Sequence, residues 1–159
     1  MTEHGITEHW PATERVLVGF DHRPHTRQVI RDAWRLAHGL HADLLAVSIQ
    51  PAGYRAFTGK LMSMLRHGTD AHQQQEADQR RLQEHAIFAE DLGAEVLQVR
   101  SRDIARTLVE IAQKRQVTQI VLGQPARSRW EEILRGSITN RLLRLSRDID
   151  IYLVPWQED

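Results

Sequence analysis

The sequence contains no cysteine, no net charge and no long apolar run. Without cysteine the chain forms neither disulfides nor thiolate metal sites. Its apolar runs fall well short of the roughly 20 residues that a membrane-spanning helix needs, and no signal-peptide pattern begins the chain. Lys plus Arg equals Asp plus Glu at 21 each, so overall charge does not indicate a nucleic-acid partner. These features predict a cytoplasmic protein without membrane insertion.

Length and composition favour one domain. The chain has 159 residues, of which 41% are hydrophobic, enough for one buried core. We expect a flexible arm over residues 1–14, a single domain over 15–155 with a flexible insertion at 51–70, and a short tail at 156–159. The initiating methionine and polar ends favour a free-standing protein over an excised domain.

Charge is unevenly distributed along the chain. Residues 100–147 contain eleven basic and four acidic side chains, a local charge of +7, so the remainder carries −7. A basic half favours an anionic ligand, but it is equally typical of a solvated face that contacts an acidic partner. Both interpretations stay open on charge alone.

Five short apolar runs alternate with segments of helical periodicity. Asp103 is a plausible N-cap of the third helical segment, and Gly93 suits the C-terminal cap of the second. This alternation predicts an α/β fold, with a doubly wound, mostly parallel sheet and helices on both faces. Ligands of such sheets bind at the carboxyl ends of strands, where the strand order reverses. The predicted strands are 15–20, 43–50, 94–99, 118–122 and 149–154, and the predicted helices are 26–40, 71–92, 103–115 and one that opens at Gly136-Ser137.

The loop after the fourth strand is the best candidate for a binding site. An apolar run ends at Gly123, a basic segment follows, and Gly136-Ser137 opens a helix with Ile138, Leu142 and Leu145 on one face. A helix that starts in this way offers free backbone N–H groups and the positive end of its dipole to an anion. A simple helix cap is the alternative use of the same pair.

The same residues carry a family resemblance. Gly123, Ala126 and Gly136-Ser137 have the spacing of the G-2x-G-9x-G-[S/T] nucleotide signature of the universal stress protein family. The string GQPARSRWEEILRGS most resembles the universal stress protein domain of Kdp-type osmosensing potassium sensor kinases. The resemblance covers roughly Arg15 to Val154 and is specific from Thr118 onward.

The resemblance implies a five-stranded parallel sheet in the order 3-2-1-4-5, a homodimer and an adenine nucleotide as ligand, with ATP favoured and with or without Mg²⁺. Asp21 and Val47 would flank the adenosine. The residues that would surround the phosphates are Gly123, Ala126, Gly136, Ser137 and Ile138.

Two positions depart from the ATP-binding pattern. Ala126 replaces the second glycine, and its Cβ would crowd a phosphate or disfavour a positive φ. Pro125 removes one backbone donor. Charge-assisted hydrogen bonds from Arg127, Ser128 and Arg129 could replace the lost contacts.

Other functions remain in competition with ATP binding. Some sensor-kinase domains of this type bind cyclic di-AMP, but the stretches DHRPHT and LLAVS lack their serine pair and aromatic residues, so this ligand is less favoured. A nucleotide-free interaction module with a degenerate site is the rival from another class. In either case the signal would pass to an unidentified signalling or transporter partner.

No pattern in the sequence predicts a catalytic centre or a metal site. No nucleophile, base and orienting residue are held close together, so we expect no dedicated enzyme and at most a weak ATPase. The pairs His22/His25 and His38/His41 have helical spacing, but solvated or capping histidines are favoured over metal ligands.

The last strand, Ile149 to Val154, is expected at the sheet edge. Its backbone N–H and C=O groups would be unpaired there, and pairing with a two-fold copy would satisfy them. We therefore predict a homodimer through this strand. The alternative is an edge covered by Pro155 and Trp156.

Overall fold

A computed structural model describes residues 14–52, 70–124, 138–145 and 148–155. Strands and helices alternate through all of these segments. The strands are β1 (Arg15–Gly19), β2 (Asp43–Pro51), β3 (Glu95–Ser101), β4 (Gln119–Gly123) and β5 (Asp150–Val154), and the helices are α1 (Thr26–Gly39), α2 (Asp70–Asp91), α3 (Ile104–Lys114) and α4 (Ile138–Leu145).

The five strands form one parallel sheet in the order β3-β2-β1-β4-β5. Leu17 of β1 lies opposite Leu45 of β2 and Ile120 of β4, which fixes the register of the three central strands. The predicted α/β class, strand order and doubly wound architecture are therefore confirmed. Strand and helix boundaries differ from the predicted ones by at most two residues.

Side chains of each central strand point alternately into two cores, one on each face of the sheet. Val16 and Val18 of β1 pack with α1 and α2, whereas Leu17 packs on the other face with α3 and α4. The near-continuous apolar runs of β1 and β2 are explained by burial on both faces. The core residues below 2% exposure with the largest side chains include Leu17, Ile30, Ile120 and Leu142.

Three helices end in the same way before a strand begins. The backbone φ angle is +54° at His41, +90° at Gly93 and +56° at Gln116. After α1, α2 and α3 the same two hydrogen bonds follow, and in α2 they join Gly93 N–H to Glu90 C=O and Ala94 N–H to Ala89 C=O. This Schellman arrangement satisfies the last helical carbonyls within two or three residues. It confirms Gly93 as the predicted cap of α2.

The predicted arm and tail, at 1–14 and 156–159, lie almost wholly outside the described residues. Most of the predicted insertion at 51–70 lies outside them as well. Pro51 still belongs to β2, and Ala52 N–H donates to the Ser101 carbonyl at 2.9 Å. The predicted domain limits stay predictions.

Candidate functional site

The strand order reverses between β1 and β4, because the chain continues from β1 to β2 on one side and from β4 to β5 on the other. Crevices at the carboxyl ends of such neighbouring strands are the usual ligand sites of doubly wound sheets. Asp21 follows β1 and Gly123 ends β4. The fold therefore brings these two predicted site residues to the carboxyl ends of two neighbouring strands.

The turn after β1 is closed by the side chain of Asp21. Its Oδ1 accepts a hydrogen bond from the Arg23 backbone N–H at 2.9 Å and another from the Thr26 hydroxyl. Its Oδ2 lies 3.6 Å from Arg23 Nε, and the side chain is 48% exposed. The N-cap position of α1 belongs to His25, which makes no side-chain cap bond. Asp21 thus stabilises the turn that leads into α1 without being part of the helix, and its carboxylate is still partly exposed to solvent.

Sequence reasoning missed His85, which supports the same turn from α2. Its Nδ1 lies 2.8 Å from the carbonyl oxygen of Asp21, and the side chain is buried. A carbonyl oxygen only accepts, so Nδ1 carries the proton. The sequence does contain a signal for the burial of His85, because this residue falls on the apolar helix face formed by Leu82, Ala86 and Ala89.

The histidine pair next to this turn is engaged with protein groups. His22 Nε2 lies 3.6 Å from an Asp78 carboxylate oxygen. A Cβ built on Gly123 would approach the His25 ring to 3.5 Å, so the His25 ring lies beside the end of β4. Within the described residues, no group of three His, Asp or Glu side chains is placed to hold a metal ion.

Gly123 lies in tight packing with α1. A Cβ at this position would lie 3.1 Å from Val29 Cγ2, closer than most carbon contacts in proteins. Gln124 N–H donates to the Val154 carbonyl at 2.8 Å, so the chain is still paired with β5 when it leaves β4. The glycine therefore lets the strand end pass directly beside α1.

Val47 occupies a different environment from the other predicted site residues. Its side chain is 1% exposed and belongs to the core on the α3 and α4 face. Its carbonyl accepts a hydrogen bond from Phe20 N–H at 2.9 Å. Val47 thus lies beside the end of β1, but its side chain does not reach the surface at the carboxyl ends of the strands.

Most of the predicted phosphate loop lies outside the described residues. Ala126, Arg127, Ser128, Arg129, Gly136 and Ser137 all belong to this part. Ile138 is described as the first residue of α4. A helix was predicted to open at Gly136-Ser137, and the described part of α4 begins within two residues of that pair, whereas the ligand contacts stay predictions.

Among the side chains of α4 that the structure describes, over 141–145, one buried residue and one ion pair anchor the helix on α3. Leu142 is fully buried in the core that contains Leu108 and Ala105 of α3. Arg141 donates from both terminal nitrogens to the Asp103 carboxylate, at 2.8 and 2.7 Å. The hydrogen bond from Arg141, followed by the backbone bond from Arg106, lowers the pKa of Asp103 below its ordinary value.

Asp103 also caps α3, as predicted. Its Oδ1 accepts the Arg106 backbone N–H at 3.2 Å. The Ser101 hydroxyl lies 3.0 Å from both the N–H and the carbonyl oxygen of Asp103, and it also contacts the Thr107 hydroxyl. A single polar cluster therefore connects the end of β3 with the starts of α3 and α4.

A cleft of about 450 Å³ lies at the opposite edge of the sheet, near the amino ends of β1, β2 and β3. Its lining includes Trp34 and His38, whose rings stack at 4.9 Å, and Arg115, which contacts Glu95 at 2.9 Å. This cleft lies near the C-termini of α1, α2 and α3, and its lining includes neither Asp21 nor Gly123.

Strand β5 pairs with β4 and is the last strand of the sheet among the described residues. Tyr152 and Leu153 are 44% and 42% exposed, and Leu143 and Leu145 of α4 are also exposed. The predicted position of this strand at an edge is confirmed. No helix in the described part of the chain is both long and apolar enough to span a membrane.

Solved structures with a similar fold include universal stress proteins. One, in complex with cAMP, superposes with a TM-score of 0.62 at 19% identity and covers 91% of this chain and 98% of that one. Another, from Archaeoglobus fulgidus in complex with dAMP, has a TM-score of 0.54 at 16% identity and covers 89% and 98%. At these identities the likeness demonstrates the fold.

Sequence relatives include much longer proteins. A KdpD sensor protein of Synechocystis is 27% identical over 148 residues, which are 93% of this chain and 35% of that protein. Sensor protein KdpD of Mycobacterium tuberculosis is 27% identical over 150 residues, 94% of this chain and 15% of that protein. The model of the universal stress protein family matches residues 12–152. The chain therefore belongs to the universal stress protein family.

Proposed function

We propose that this protein binds an adenine nucleotide, with ATP favoured, at the carboxyl ends of β1 and β4, and passes the bound or empty state to a partner. The observation that carries the proposal is the meeting of the half-exposed Asp21 turn with Gly123 at the point where the strand order reverses. A carboxylate there suits the hydroxyl groups of a ribose, because it accepts hydrogen bonds only.

The phosphates would lie toward the start of α4. Gly123, Ala126, Gly136, Ser137 and Ile138 would surround them, as the family resemblance implies. Arg127, Ser128 and Arg129 would contribute charge-assisted hydrogen bonds, with Mg²⁺ as an optional companion of the phosphates. The first N–H groups of a helix generally favour an anion, and α4 begins at Ile138.

The comparisons support the chemical class of the ligand. Two universal stress proteins with this fold are complexes with cAMP and dAMP, both adenine nucleotides. The KdpD relatives are sensor proteins, which favours a role in signalling. This chain spans between 15% and 35% of the length of these two relatives, so their partners and activity enter only as proposals.

The relay would work by ordering the segment that precedes α4. Contacts from the phosphates to residues 127–138 would restrict that segment and change the surface presented to a partner. We place this protein in the cytoplasm, where ATP is available, as a homodimer through β5. Exposed Tyr152 and Leu153 on an edge strand support this assembly.

Calorimetric titration with ATP, ADP, AMP and cyclic di-AMP tests the ligand proposal. Protein freed of bound nucleotide should bind ATP, and Gly136→Asp should abolish binding because it adds a side chain and a negative charge to the phosphate loop. Gly39→Asp is the matched control, because this glycine lies at the amino edge with nothing within 4 Å of an added Cβ. Equal ATP binding by wild type and Gly136→Asp would contradict the proposed site.

A nucleotide-free interaction module is the second candidate. The features that favour it are Ala126 and Pro125 in the sequence of the loop and the full burial of the Val47 side chain. If none of the four ligands binds in the same titration, the interaction module is supported. Phosphate release in the presence of ATP would instead indicate a weak ATPase.

A further inference from the structure

We infer that Asp103 is a positioning residue for the nucleotide site, because it holds the first half of α4 in place through Arg141. This inference rests on the proposed function, and it adds a residue that neither the sequence motif nor the family resemblance includes. Asp103 belongs to the cap of α3 and is 38 residues away from Arg141 in the sequence.

The geometry of the pair is what makes it a positioning device. Both Asp103 oxygens accept from different nitrogens of Arg141, at 2.8 and 2.7 Å. A bidentate contact of this kind fixes the orientation of the guanidinium group as well as its distance. Arg141 is the fourth residue of α4, so the contact acts within one turn of the helix start.

Asp103 is itself held from three directions. Its carboxylate accepts the Arg106 N–H, while its backbone carbonyl accepts the Ser101 hydroxyl and its own N–H donates to that hydroxyl. The carbonyl also accepts the Thr107 N–H at 3.0 Å. The backbone of Asp103 is therefore fixed between β3 and α3, and the carboxylate joins this position to α4 through the Arg106 cap and the Arg141 pair.

The consequence for the ligand follows from what α4 contributes. An anion at a helix start depends on the direction of a few backbone N–H groups. Leu142 holds the helix on the core, and one apolar contact leaves rotation about the helix axis free; the fork between Arg141 and Asp103 adds a second, directional contact that opposes this rotation. Losing the fork should weaken contacts to phosphate and leave contacts to adenosine unchanged.

The test compares ATP with adenosine by calorimetric titration of wild type, Asp103→Asn, Arg141→Gln and the double variant. Asparagine retains N-capping of α3, and Arg141→Gln leaves the cap untouched, so both variants should fold. The dissociation constant for ATP should rise roughly fivefold in each single variant and little further in the double variant, while that for adenosine stays constant. Glu110→Gln is the control, because it removes the exposed pair between Arg106 and Glu110 on the same helix.

Each outcome separates this inference from the proposed function. If wild type binds ATP and Asp103→Asn binds it equally well, the positioning role is wrong and the proposed function stands. Equal losses for ATP and adenosine would show a general structural effect and would also overturn the inference. If wild type binds neither ligand, the proposed function fails, and the positioning role fails with it. Recovery of ATP affinity by Asp103→Glu, which restores the carboxylate, would support the inference.

Discussion

The connections at the amino ends of the strands, here called the amino edge, are closed in a different way from those at the carboxyl ends, the carboxyl edge. At the amino edge, α1, α2 and α3 each end in a left-handed residue followed by backbone hydrogen bonds that lead directly into a strand. At the carboxyl edge, side chains do this work. Asp21 closes the turn after β1, His85 holds its carbonyl from α2, and Ser101 and Asp103 organise the end of β3.

The difference concerns how the connections are closed, because side chains form contacts at both ends of the strands. At the amino ends, Arg15 Nη1 donates to the Arg115 carbonyl at 2.8 Å and the Thr118 hydroxyl donates to Glu14 at 3.0 Å, but the helix ends themselves are closed by backbone bonds. Polar side chains at the carboxyl edge are still partly exposed, as Asp21 is, and they come from elements far apart in the sequence. Loops held in this way can present chemistry while the sheet below stays rigid.

The most severe disruption of the carboxyl edge should come from Leu142→Ala. Leu142 is fully buried and is the apolar anchor of α4. Removing its side chain should lower the free energy of unfolding by about 2 to 5 kcal/mol and weaken ATP binding as α4 loosens. Chemical denaturation measures the first effect. Unchanged stability would mean that α4 does not depend on this contact.

His85→Phe tests the link between α2 and the Asp21 turn. It leaves the part-buried Asp21 carbonyl without its partner, so the free energy of unfolding should fall by about 1 to 2 kcal/mol, and ATP affinity should fall as well. His85→Asn is the matched variant, because its amide retains a donor near the position of Nδ1. If both variants behave alike, the hydrogen bond is not what holds the turn.

Two glycines test the amino edge in opposite directions. Gly93 has a φ of +90°, so Gly93→Ala should destabilise the protein by about 1 to 2 kcal/mol. Gly39 lies at the end of α1 with open space around it, so Gly39→Ala should stabilise by about 0.4 to 1 kcal/mol. Thermal unfolding checks both. Neither variant should change ATP affinity. A change would contradict the view that the amino ends of the strands are separate from the proposed nucleotide site.

The smallest expected effect is the pH dependence of the pair between Asp103 and Arg141. The pKa of Asp103 is lowered in the folded protein, so its contribution to stability is present above the ordinary pKa of 3.8 and is lost as pH falls through the lower folded value. The melting temperature of wild type should exceed that of Asp103→Asn by a constant margin between about pH 5 and pH 8. This margin should shrink in more acidic buffers; a margin that persists there would assign it to a cause other than ionisation of Asp103.

Much of this fold could be predicted because its signals are local. Apolar runs, helical periodicity, the Asp103 N-cap and the Gly93 C-cap each depend on neighbouring residues, and all are confirmed. Val47 was predicted beside the adenosine from a resemblance; its side chain lies in the core, and the ligand contact stays a prediction. Whether a side chain reaches an edge depends on the register and twist of neighbouring strands, which local patterns do not contain.

The sequence alone determined the alternation of strands and helices, and with it the parallel sheet and the edge at which Asp21 and Gly123 emerge. Spacing of apolar residues suffices for that, because each element must bury one face. Only the tertiary structure decided that His85 supports Asp21 across 64 residues and that Arg141 reaches Asp103. Such contacts depend on how helices pack on the sheet, and many different residue pairs would satisfy the same sequence pattern.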